Sequence, residues 1–146
     1  MGVLTDIVIA GRNEAKRVEA SDVPSREFPG IDAKGLDQVR MGTLYAILTN
    51  TEYDPGFMLD EDSSIEPDSE DGPWVQIVPQ EMVNILSKLT NSDIPPIADQ
   101  WGKTEEFQSE YSNWSRKDIL NFLEQIAALS KRAMTDDKTM FMWTCL

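Results

Sequence analysis

The sequence predicts an α+β domain, a small sheet of about three or more strands covered by four or five helices, with the C-terminal strand central. Three observations lead there. Stretches of strand-like composition stand near the start, the middle and the end of the chain. Between them apolar residues recur at helical spacing, and no repeat with a period of about 20 to 50 residues is visible.

Val3 to Ala10, rich in Val and Ile and closed by Gly11, is expected to be the first strand. Asn13 is placed to cap a short helix through Ala20, which Pro24 keeps from extending. Pro24 to Gly35, with Pro29-Gly30 inside it, has the composition of turns. Leu36 to Leu48 follows as a helix with Leu36, Val39, Leu44, Ile47 and Leu48 on one stripe. Trp74 to Val78 has strand composition, and Pro79 opens a helix whose buried face carries Met82, Ile85, Leu86 and Leu89.

A further helix starts near Ser92-Asp93 and tolerates Pro95-Pro96 because both fall in its first turn. Ile94, Ile97, Ala98 and Trp101 lie on one side of it. From Ser115 to Met134 the signal is strongest. Ser115 is an N-cap with Asp118 three residues on, a near relative of the capping box, and Ile119, Phe122, Leu123, Ile126, Ala127, Leu129 and Ala133 form the apolar stripe. Thr139 to Leu146, apolar almost throughout, suits a strand covered on both faces.

A chain of 146 residues is expected to form a single domain over 1–146, because domains usually run about 100 to 200 residues. Its 40% hydrophobic content is enough for collapse. The absence of His removes Ser-His-Asp and Cys-His nucleophile arrangements and any metal site built on imidazole. The lone thiol, Cys145, cannot close an internal disulfide, and without a His to activate it is expected to be a small buried hydrophobe. No apolar run is long enough to span a bilayer, and the first residues lack a basic, apolar leader, so the expectation is a cytoplasmic protein without membrane contact.

The formal charge of −13 is uneven. Between Met41 and Ser87 there is no Lys or Arg, while Glu52, Asp54, Asp60, Glu61, Asp62, Glu66, Asp68, Glu70, Asp71 and Glu81 are all acidic. The densest part, Asp60 to Asp71, has too little apolar surface to offset its ordering entropy, and an acidic loop is expected at about 60–72. Asp60, Glu61, Asp62, Glu66, Asp68, Glu70 and Asp71 are the candidate binding residues, facing a basic protein partner.

Other chemistries fit less well. Asp60, Asp62, Ser64, Glu66, Asp68 and Asp71 thread onto a calcium loop, but Ile65 stands where the loop requires Gly and Asp71 where it requires Glu. Gly30 and Gly35 are spaced like a phosphate loop, yet Leu36-Asp37 replaces the Lys and hydroxyl that such a loop needs. Asp37 and Arg40 are expected to be a surface i,i+3 pair. Trp74, Trp101 and Trp143 are assigned to the core, and Trp114 to a hydrophobic staple at a helix entrance.

Met1-Gly2, the run Met41-Gly42-Thr43-Leu44-Tyr45-Ala46-Ile47-Leu48-Thr49 leading to Tyr53-Asp54-Pro55, then Asp71-Gly72-Pro73-Trp74 and Val78-Pro79-Gln80-Glu81, form a layout with a closing helix and strand. This layout resembles the YfbM-like family of uncharacterised bacterial proteins over nearly the whole chain. The resemblance implies a small bacterial α+β domain, and because that family has no established activity it brings no catalytic residue.

The expected function is a non-enzymatic cytoplasmic interaction domain with an acidic face, without cofactor, metal or catalytic residue and with its oligomeric state left open. Two alternatives stand beside it. One is an acidic inhibitor that imitates nucleic acid and occupies a DNA-binding protein. The other is a carboxylate- or Mg-dependent enzyme drawing on Asp32, Asp37, Asp54 and Asp71. Direct nucleic-acid binding is disfavoured because no basic footprint is present.

Overall fold

Leu4–Ala10 forms β1 in the computed structural model, which describes residues 4–58, 70–108 and 114–145. A single 3-10 turn, Arg12–Glu14, leads into α1 (Ala15–Ala20). Asn13 falls inside this turn and does not cap the helix as expected; Glu14 closes the turn instead, its carboxylate accepting from the Gly11 N–H at 2.8 Å.

The region assigned to turns contains α2 (Pro24–Glu27) and β2 (Gly30–Asp32). Pro24 occupies the first helical position, where its missing N–H costs nothing. β2 pairs antiparallel with β1, and Gly30 lies opposite Val8. A Cβ at Gly30 would stand 2.5 Å from the Ile7 carbonyl oxygen, so the close approach of β2 requires glycine.

α3 spans Gln38–Thr49, capped by Asp37, whose carboxylate accepts from the Arg40 N–H at 2.8 Å. The helix ends on Asn50 in the left-handed conformation. β3 (Trp74–Ile77) and α4 (Gln80–Ser87) follow, with Pro79 in the N-cap position, so that the helix starts one residue later than expected. α5 (Ile94–Gly102) carries both prolines in its first turn. The short α6 (Glu105–Gln108) leads towards α7 (Arg116–Asp136). At the start of α7 the capping box is complete: Ser115 Oγ accepts from the Asp118 N–H, and the Asp118 carboxylate accepts from the Ser115 N–H at 2.8 Å. These hydrogen bonds hold the Asp118 carboxyl below its ordinary value.

β4 (Thr139–Cys145) completes a four-stranded antiparallel sheet of order β2-β1-β4-β3. The chain is therefore α+β, and its last strand is interior. β4 pairs with β1 from Ala10–Thr139 to Leu4–Cys145, and with β3 from Ile77–Phe141 to Trp74–Thr144. The run is apolar because both faces of the sheet are covered. On one face Ile7, Ile9, Met140 and Met142 share a cluster with Leu36, just before α3, and with Met41, Leu44, Met82, Leu86 and Leu123 of α3, α4 and α7. On the other, Val8, Phe141, Trp143 and Val75 meet Val18 of α1 and Phe28, which follows α2. Cys145 is half-buried against this second cluster.

Arg40 departs from the expected surface pair with Asp37. Its guanidinium donates to the carbonyls of Gly35 at 2.7 Å and Glu106 at 3.1 Å, and lies 5.0 Å from the centre of the Phe107 ring. This ties the start of α3 to α6. Trp114, at the entrance to α7, donates through Nε1 to the Lys34 carbonyl at 3.2 Å and packs edge-on against Phe122. Among the described residues no helix is long and apolar enough to cross a membrane.

Candidate functional site

The basic-free stretch begins inside α3, and the chain that leaves this helix folds back along it. The Thr51 N–H donates to the Ala46 carbonyl at 3.0 Å, starting the reversal. Asp54 then closes a turn, its carboxylate accepting from the Gly56 N–H at 2.9 Å and its carbonyl from the Phe57 N–H at 3.2 Å. The reversal lays Tyr53 and Phe57 over Gly42. A Cβ there would stand 2.6 Å from Tyr53 Cε2 and 3.2 Å from Phe57 Cε1. A glycine inside a helix costs about 1 kcal/mol against alanine, and here it makes room for two rings.

Tyr45, three residues along α3, stacks on Phe57 with ring centres 5.2 Å apart and an interplanar angle of 33°. Its hydroxyl donates to Glu81 Oε2, in the first turn of α4, at 3.1 Å. Met58 is fully buried and anchors the end of the turn. Three rings thus share one flank of α3: Tyr45 and Phe57 half-buried, and Tyr53 42% exposed. Glu52, Asp54 and Glu81 are exposed on the same stretch.

Burial, then the hydrogen bond to Glu81 and the charges of Glu81 and Asp54, push the Tyr45 phenol above its ordinary value. The fold therefore favours the neutral phenol. The stability this contributes is present below the unfolded value and is lost as pH rises through the raised folded value. Ultraviolet titration should show the Tyr45 phenol ionising above the ordinary tyrosine value. Tyr45→Phe should remove that step, and Glu81→Gln should move it back towards about 10. Ionisation of Tyr45 at its ordinary value would contradict the contact.

Of the acidic residues singled out in the sequence, Asp60, Glu61, Asp62, Glu66 and Asp68 lie outside the described residues. Glu70 and Asp71 are exposed at the turn that leads into β3. The calcium-loop register lies outside the described residues except for Asp71. Among the described residues, no group of three or more Asp, Glu or Cys side chains is placed to hold a metal ion.

Three of the four carboxylates considered for an enzyme serve local backbone. Asp32 accepts from the Lys34 N–H at 3.2 Å, Asp37 caps α3 and Asp54 closes its turn. Asp32, Asp54 and Asp71 are exposed, so none of these three has the desolvated setting that a tuned acid or base requires. A separate concavity of about 420 Å³ lies between α7 and the α4–α5 connection, floored by Leu89, Ile94 and Ala127 and rimmed by Glu124 and Lys131.

The sequence pointed to the acidic run and missed the three rings beside it. The available signal was Gly42 inside an otherwise regular helix, followed by Tyr45, Tyr53 and Phe57. No protein-family model, curated protein or solved structure matches the chain.

Proposed function

We propose that the protein is a non-enzymatic interaction domain of the bacterial cytoplasm whose acidic face receives a basic segment of a protein partner. One observation carries this: residues 41–87 hold ten carboxylates and no Lys or Arg, and the rest of the chain is close to charge balance. A field of one sign over one region attracts an oppositely charged partner and raises its association rate. The exposure of Glu52, Asp54, Glu70, Asp71 and Glu81 supports the assignment, because these charges face solvent. The local use of Asp32, Asp37 and Asp54 in backbone turns supports a role in binding over catalysis.

The test is affinity capture with the full chain and with a variant in which Asp60, Glu61, Asp62, Glu66, Asp68, Glu70 and Asp71 become Asn or Gln. The intact chain should recover basic proteins, and recovery should fall as salt shortens the screening length from about 10 Å at 0.1 M to about 3 Å at 1 M. The neutralised variant should lose them at every salt concentration. Partners recovered equally by both proteins would overturn the proposal.

A further inference from the structure

We infer that Tyr45, Tyr53 and Phe57 form a platform on which arginine side chains of an incoming basic protein segment stack. This rests on the acidic-face proposal and names the chemistry of the partner. A guanidinium is planar and weakly hydrated, and it is attracted to the negative face of an aromatic ring.

The chain already uses this contact twice on its own rings. Arg17 lies 5.2 Å from the centre of the Phe28 ring and Arg40 lies 5.0 Å from that of Phe107. Among the described residues, no cation of the chain covers Tyr45, Tyr53 or Phe57 in this way. Sequence explains the difference, because the stretch that builds the platform contains no Lys or Arg.

The surroundings favour a cation with hydrogen-bond donors. Glu81 Oε2 accepts from the Tyr45 hydroxyl, and the Glu81 carboxylate is exposed, so it can also accept from a guanidinium. Asp54 is fixed by its own turn close enough for its charge to act on the Tyr45 hydroxyl. The rings are held by packing on Gly42 and by the Tyr45–Phe57 stack, so little side-chain freedom is left to lose on binding. Arginine is favoured over lysine because its flat group contacts a ring and a carboxylate together.

The experiment uses the full chain and two labelled dodecapeptides, one alternating Arg with Gly and one alternating Lys with Gly, followed by fluorescence anisotropy at low and high salt. The intact chain should bind the arginine peptide several-fold more tightly than the lysine peptide. Tyr53→Leu keeps every charge and alters an exposed ring. It should weaken the arginine peptide by about fivefold and erase the preference, whereas Tyr53→Phe should stay within about twofold of the intact chain. Thermal melts of both variants separate a lost contact from a lost fold.

If Tyr53→Leu and Phe57→Leu bind like the intact chain while the seven-site neutralised variant does not, arginine stacking is overturned and the acidic face stands. If the neutralised variant binds normally and Tyr53→Leu does not, the platform stands without the acidic face. Equal affinity of the intact chain for both peptides, or no binding of either, also overturns the platform.

Discussion

Removal of residues 141–146 is expected to abolish cooperative unfolding. The cut takes most of β4, an interior strand that joins β1 on one side to β3 on the other. Without it β3 loses its sheet partner, and β1 keeps only the three-residue β2. Phe141, Met142 and Trp143 are all buried, and they belong to both clusters, one on each face of the sheet. Burying a large apolar side chain contributes about 1.5–3 kcal/mol, so three of them account for much of the roughly 5–15 kcal/mol that holds a typical domain folded. Unpaired backbone on β1 and β3 adds to the loss. Circular dichroism of the truncated chain should show no sigmoidal melt, and its amide spectrum should lose dispersion. A soluble product that melts like the full chain would show that β4 is dispensable to the sheet.

That strand was legible because its signal is compositional and continuous. α7 was legible for a different reason: Ser115, Asp118 and the stripe from Ile119 to Ala133 are local features, and the observed cap and buried face follow from them. β2 carries no such signal. It has one apolar residue, Ile31, between Gly30 and Asp32, and it is a strand because β1 offers a partner there. Arg40 fails in the same direction. A rule about neighbours three apart sees Asp37, whereas the guanidinium finds the Glu106 carbonyl and the Phe107 ring, more than sixty residues away.

The candidate site divides along the same line. Its charge is written in composition, and Glu70 and Asp71 are exposed. Its shape is not, because Tyr53 and Phe57 reach Gly42 only after the chain reverses at Asn50. Pattern rules for helices stop at the helix end, so they cannot register a ring that returns to the same helix from the following turn.

Trp101 supplies the second large effect. It is fully buried, and Phe107, Trp114 and Phe122 surround it at ring-centre distances of 4.9, 6.3 and 5.7 Å. Its Nε1 donates to the Arg40 carbonyl and to Thr43 Oγ1, both at 3.0 Å. One side chain therefore clamps α3, α5, α6 and the entrance to α7. Trp101→Ala should cost about 3–5 kcal/mol, the range for emptying an aromatic site in a packed core. For a chain of this length that corresponds to a fall in Tm of about 6–20 °C.

Trp101→Phe retains much of the apolar volume but removes the indole donor, so its loss should be smaller, about 1–3 kcal/mol for the two hydrogen bonds removed, because the Arg40 carbonyl still accepts from the Thr43 hydroxyl. The order intact, Phe, Ala in chemical denaturation is the expected result. Equal damage from Phe and Ala would mean that the hydrogen bonds to α3, rather than the ring contacts, hold the helices together. An unchanged Tm in Trp101→Ala would show that the helical layer does not depend on this residue.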